Sequence, residues 1–165
     1  MGAAEPGHPA PSPGAAIPRV LFLCTGNSCR SQMAEGWARA LLCGRIEAHS
    51  AGTHPHGLNP CAVRAMAEAG VDISHHSSKR PTDIGGPFDV VITVCDSAHE
   101  ACPVLPGSHI LHIPFDDPPR LAEHAASEEE AMVHYRRVRD EIRIFVDRLP
   151  HTLTTLKPAS SRWST

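Results

Sequence analysis

The chain has 165 residues, of which 20% are charged, and a formal net charge of −3. That length suits one domain with a substantial core, and that balance excludes the broad basic surface a nucleic-acid partner needs. No apolar run approaches the roughly 18 residues required to cross a bilayer, so no membrane role is expected.

Residues 1–18 hold five of the 16 prolines with much Ala and Gly. They lack the basic and apolar regions of a secretory signal and read as a disordered leader to a domain over 19–149. The cytoplasm is the implied compartment, where six cysteines serve better as redox or catalytic groups than as a disulfide framework. Arg19 to Leu23 reads as a strand. Ser31 to about Cys43 carries helical spacing in Met33, Trp37, Ala40 and Leu41, with Ser31 as N-cap and with Met33 and Trp37 as core residues. Ile46 to Ala51 is a second short strand ending in Gly52. Asn59 to Ala69 is helical, opened by Asn59-Pro60 and closed by Gly70. Asp89 to Val94 is a β-branched run typical of a strand buried on both faces, and His109 to Ile113 is a fourth strand. Glu128 to about Leu149 is a long amphipathic helix, with a flexible tail over 150–165. Strands alternating with helices predict an α/β fold, a single-domain four-stranded parallel sheet flanked by helices, with its site at the carboxyl ends of the strands.

Three chemical elements fall at such ends. The first is Cys24-Thr25-Gly26-Asn27-Ser28-Cys29-Arg30-Ser31, directly after Val20-Leu21-Phe22-Leu23. Where the strand ends, the backbone N–H groups of this loop can curl around a tetrahedral anion, and the following helix adds its positive end. Gly26 and Asn27 suit left-handed backbone angles. Arg30 supplies a planar fork for two anion oxygens, and the same field is expected to ionise Cys24 well below the ordinary thiol range. The second is Cys95 and Cys102. If the segment between them is helical, seven residues place them about 10 Å apart. A disulfide needs Cα atoms within about 7 Å, so they join only if the segment unwinds. Two readings stand: a redox switch, or two unrelated buried cysteines on a short helix. The third is Phe115-Asp116-Asp117-Pro118-Pro119, a plain turn or a loop carrying a proton donor over the site. Asp117, fixed by the following proline, is the preferred acid.

The stretch from Val20 to Trp37 resembles the opening of thioredoxin-coupled arsenate reductases, which share the fold of low-molecular-weight tyrosine phosphatases. The resemblance continues through Ser50-Ala51-Gly52, His56-Gly57-Leu58-Asn59-Pro60, Ala65-Met66, Asp72-Ile73-Ser74, Val90-Val91, Cys95 and Cys102 with Pro103, Phe115 to Pro118, and Arg137 to Ile142, in order from about residue 19 to 149. It implies arsenate as substrate, thioredoxin as reductant and reduction of arsenate to arsenite; a monomer is expected. On this resemblance Cys24 attacks arsenate, residues Thr25 to Ser31 hold its oxygens, Ser31 hydrogen-bonds the sulfur and Asp117 protonates the departing hydroxide. Cys95 then attacks Cys24 and Cys102 attacks Cys95, leaving a Cys95–Cys102 disulfide for thioredoxin. A phosphatase is the nearer alternative, a non-catalytic oxyanion- or redox-sensing module the farther one, and glutathione-type coupling an alternative reductant.

The chain departs from the family pattern in places. Some members bind potassium through residues matching Asn27, Glu35 and Ser50 plus an aspartate, whose position holds Lys79; either a potassium ion or the Lys79 ammonium fits that place, and no other metal or cofactor is expected. His112-Ile113-Pro114 replaces a more usual His-Trp-Gly, and Pro119-Arg120 stands where phosphatases place tyrosine. Cys29 reads as a loop-packing residue, Cys43 and Cys61 as ordinary small residues. The 12 histidines, His54, His56, His75 and His76 among them, read as surface groups rather than a metal site.

Overall fold

The structure is a computed structural model and describes residues 17–95 and 107–156. Its elements in chain order are β1 (Arg19–Cys24), α1 (Arg30–Leu41), β2 (Glu47–Gly52), α2 (Pro60–Glu68), α3 (Pro81–Ile84), β3 (Val90–Thr93), β4 (His109–His112), α4 (Pro118–Leu121) and α5 (Glu128–Thr155). The strands form one sheet in the order β2-β1-β3-β4, and every pairing is parallel. The chain runs from β1 outward to β2 and then returns to the other side of β1 to lay down β3. That reversal opens a crevice at the carboxyl ends of β1 and β3, where α/β sheets bind ligands.

Hydrophobic burial fixes this frame. Val20, Leu21, Phe22 and Leu23 of β1 and Val90, Val91 and Ile92 of β3 are fully buried, as a sheet covered on both faces requires. Burying each such side chain contributes about 1.5–3 kcal/mol. α1 packs Met33, Ala34 and Trp37 into the same core, and Trp37 Nε1–H donates to the Arg139 carbonyl of α5 at 3.0 Å. α2 starts as its sequence predicts: Asn59 accepts from the backbone N–H groups of Cys61 and Ala62 at 2.8 and 3.2 Å, with Pro60 in the first turn. Such a cap contributes about 1 kcal/mol.

Two helix ends depart from the sequence reading, and two short helices are added to it. Ser31 does not cap α1: the helix begins at Arg30 with Cys29 at the cap and no side-chain bond there. The long helix does not stop at Leu149 but continues through Pro150 to Thr155. The burial of Leu149 and Leu153 on the core outweighs the backbone donor that Pro150 lacks. α3 and α4, each of four residues, lie outside the elements expected from the sequence. Cys102, the leader up to residue 16 and the last residues of the tail lie outside the described residues. Among the described residues no helix is long and apolar enough to cross a membrane.

Candidate active site

The loop after β1 is held from outside by its carbonyls. Those of Cys24, Thr25, Gly26 and Ser28 accept from the backbone N–H groups of Thr53, His54, His56 and Asn59, at 3.2, 2.8, 3.1 and 2.9 Å. With the carbonyls turned outward, the N–H side of the loop is left to face the concave centre, an anion-binding nest at a helix N-terminus. The Asn27 N–H already points at Cys24 Sγ, 3.1 Å away.

Asn27 is the keystone of the loop. It takes a left-handed conformation with φ 47°, uncommon for a residue other than glycine. Its fully buried side chain holds it there: Nδ2 donates to Ser31 Oγ at 2.9 Å and Ser50 Oγ at 3.0 Å, and Oδ1 accepts from Lys79 N–H at 3.0 Å. Gln32 Nε2 donates to Asn27 O and Oδ1, each at 3.1 Å, and Ser78 Oγ to Asn27 O at 2.6 Å. Gly52 is required by a close backbone approach, whereas Gly26 stands against the exposed His56 ring, a side chain free to turn aside. A Cβ on Gly26 would stand 2.0 Å from His56 Nε2, and one on Gly52 would stand 2.5 Å from the Thr25 carbonyl.

Cys24 is buried, its Sγ 2.8 Å from Ser31 Oγ. Here the structure corrects the expected low thiol pKa: burial is the largest influence and pushes the Cys24 thiol up. The Ser31 hydroxyl and the N–H groups of Ser31 and Asn27 oppose it. The thiolate therefore depends on these donors, which is why Ser31 is spent on sulfur and not on capping. Burial also raises Cys29, which packs inside the loop as expected.

Arg30 reaches across to the loop before α4. Its Nη1–H donates to the Phe115 carbonyl at 2.9 Å, and its Nη2 lies 3.5 Å from Asp117 Oδ1. Asp116 faces away, onto Arg137 Nη2 at 3.0 Å. Of the adjacent aspartates, only Asp117 is thus joined to the anion loop. Cys95 follows β3, is buried, and places its Sγ 3.5 Å from Thr25 Oγ1. The field of Cys95 acts on the Cys24 thiol, as two neighbouring thiols must. Cys24, Arg30, Asp117 and Cys95 therefore meet at one sheet edge, with Thr25 to Ser31 as its floor. Cys43 is exposed; Cys61 is half-buried, and its field reaches Cys29 in the loop.

Beneath the floor, Ser50 Oγ donates to Glu35 Oε1 at 3.2 Å. The buried Glu35 carboxylate also meets His76 Nδ1 at 3.0 Å, Lys79 Nζ at 3.7 Å and Arg39 Nε at 3.7 Å. His76 is thus no surface histidine, and burial pushes its pKa down. Two permanent cations and an imidazole around one carboxylate do not fit a potassium ion: the carboxylate is already neutralised and Lys79 offers no oxygen ligand. No group of three or more His, Cys, Asp or Glu side chains among the described residues could hold a metal. Sequence reasoning did not find Gln32, Ser78 or His56 as parts of the site. The one available signal was the demand for a left-handed residue at Asn27, which implies neighbours to hold it.

A parallel sheet with a Cys-x5-Arg loop at its reversal point defines a cysteine-nucleophile, oxyanion-handling protein of the phosphatase type. The chain belongs to the low molecular weight phosphotyrosine protein phosphatase family, whose model matches residues 19–157. It is 49% identical over 126 residues to an arsenate reductase of Bacillus subtilis, covering 74% of this chain and 88% of that protein. Among solved structures, an arsenate reductase in a phosphate-binding state aligns at 31% identity with TM-score 0.65, covering 82% of this chain and 98% of the other. The thioredoxin-dependent arsenate reductase of Corynebacterium glutamicum aligns at 26% identity with TM-score 0.64, covering 86% of this chain and 64% of that one.

Proposed function

We propose that this protein reduces arsenate to arsenite with electrons from thioredoxin. The observation that carries the reading is Cys95, buried at the rim of the anion loop with its Sγ 3.5 Å from Thr25 Oγ1. A phosphatase needs one thiol, because water resolves its adduct; a reductase needs a second thiol within reach of the first. The similarity to proteins named arsenate reductase supports the same choice.

In this reading Arg30 and the N–H groups of Thr25 to Ser31 bind arsenate, and the Cys24 thiolate attacks arsenic. A sulfur–arsenic bond forms while an oxygen leaves as water, protonated by Asp117. The Cys95 thiolate then attacks Cys24 Sγ. The electron pair of the breaking sulfur–arsenic bond stays on arsenic, which leaves as arsenite, and a Cys24–Cys95 disulfide remains. Cys102 attacks Cys95 Sγ, freeing Cys24 as thiolate, and the dithiol of thioredoxin reduces the resulting Cys95–Cys102 bond. Two electrons pass in each exchange.

Single-turnover arsenite release with disulfide mapping tests the relay. Cys102→Ser is expected to release one arsenite per enzyme and stall as a Cys24–Cys95 disulfide. Cys95→Ser is expected to stop before arsenite release while still hydrolysing a small aryl phosphate. Sustained turnover of both variants with thioredoxin contradicts the relay and favours the phosphatase reading.

The proposed reaction uses no resident metal, since Lys79 and Arg39 already balance Glu35. Replacing potassium chloride by tetramethylammonium chloride at matched ionic strength is expected to change kcat/KM by less than about twofold. A larger loss that potassium restores contradicts this.

A further inference from the structure

We infer that the Asp116–Arg137 ion pair is a latch that sets where Asp117 stands, making Arg137 a positioning residue for the acid step; the inference rests on the role given to Asp117 above. The segment from Pro114 to Asp117 leaves β4 with few backbone ties. Phe115 N–H donates to the Val94 carbonyl at 3.0 Å, and the Phe115 carbonyl accepts from Arg30 at 2.9 Å. The Asp117 carbonyl accepts from Leu121 N–H at 3.0 Å, and side chains supply the rest. The Phe115 ring meets Phe145 of α5 edge to face, with centroids 6.0 Å apart. The next residue, Asp116, is tied to Arg137 of α5 at 3.0 Å.

Asp117 has extended backbone angles, φ −89° and ψ 103°. Successive side chains on extended backbone point to opposite sides, so pinning Asp116 outward on α5 directs Asp117 inward to Arg30. Pro118 removes much of the remaining freedom at Asp117. Arg137 is itself held: its Nη1 donates to Glu141 Oε1 at 3.0 Å and Oε2 at 3.2 Å, leaving Nη2 for Asp116. The carboxylate one turn along α5 thus orients the guanidinium fork. Both members of the pair are solvent-exposed, and such pairs add little to global stability. The contribution of this one is therefore to be sought in the rate of proton transfer rather than in Tm.

The test measures hydrolysis of phenyl, nitrophenyl and dinitrophenyl phosphate by the full chain. An acid matters most for the poorest leaving group, so a misplaced Asp117 produces a graded loss and a general structural defect an even one. Arg137→Ala is expected to slow phenyl phosphate about fivefold and dinitrophenyl phosphate less than about twofold, with KM and Tm unchanged. Asp116→Asn should do the same, the double variant should be no slower than either single one, and Arg137→Lys should recover most of the rate. Even slowing across leaving groups, additive losses in the double variant, or no loss at all overturns the latch. If Asp117→Asn shows no graded loss, the acid assignment falls and the latch with it. If the parent hydrolyses these esters with that gradation but reduces no arsenate, the reductase reading fails while the latch is judged on its own pattern.

Discussion

Cys24→Ser is expected to abolish arsenate reduction, with a loss on the order of 10⁶-fold, the scale seen when other enzymes lose their nucleophile. The environment of Cys24 explains why a hydroxyl cannot substitute. Burial already pushes the thiol up, and the protein offsets this with the Ser31 hydroxyl and the N–H groups of Ser31 and Asn27. Those donors stabilise a sulfur anion whose unperturbed pKa is about 8.5; an alcohol starts far higher and stays protonated in the same site. The fold should survive, because the substitution replaces one small buried group by another that can still hydrogen-bond Ser31 Oγ. Arsenite release in a single turnover, read beside the far-ultraviolet dichroism of the variant, checks this. Turnover above a trace in a folded Cys24→Ser protein contradicts the assignment.

Asp117→Asn is the second large effect: a loss of about 10²–10⁴-fold in the first chemical step, typical of removing a general acid. Asn keeps the shape and can still meet Arg30, so arsenate affinity should hold while kcat falls. Asp116→Asn is expected to cost only about fivefold, because the Asp116 carboxylate faces Arg137 and acts on the site through the loop. Rapid-quench measurement of the first turnover separates the two. A larger loss from Asp116→Asn reverses the roles.

The site was legible in the sequence where the chemistry demands local pattern. A strand, a Cys-x5-Arg loop and a helix follow one another without interruption, and the structure places Cys24, Arg30 and Cys95 where the strand ends imply. The supports of that loop were not legible in local pattern, because they come from elsewhere in the chain: Ser78 before α3 and His56 over Gly26, while Ser50 and Lys79 were joined to Asn27 only through the family resemblance. A serine at the head of a helix reads as a cap by local propensity, yet Ser31 is claimed by a thiol seven residues earlier. Pro150 reads as a stop for the same local reason, and the tertiary burial of Leu153 carries α5 past it. Glu35 shows the same limit from the opposite direction. Lys79 stands out in the sequence as a departure from the family, but its meeting with Arg39 and His76 around one buried carboxylate depends on three separate elements. Pro118 already singles out Asp117 in the sequence, and the partners of the two aspartates on α5 and on the anion loop separate them in the structure.

Arsenate-dependent NADPH oxidation by the purified full chain with thioredoxin and thioredoxin reductase decides between reductase and phosphatase. Steady consumption is expected that needs all of these components, yields one arsenite per NADPH and is not supported by glutathione and glutaredoxin in their place. No consumption with thioredoxin, from a protein that hydrolyses an aryl phosphate at Cys24, would contradict the reductase reading and make the chain a phosphatase.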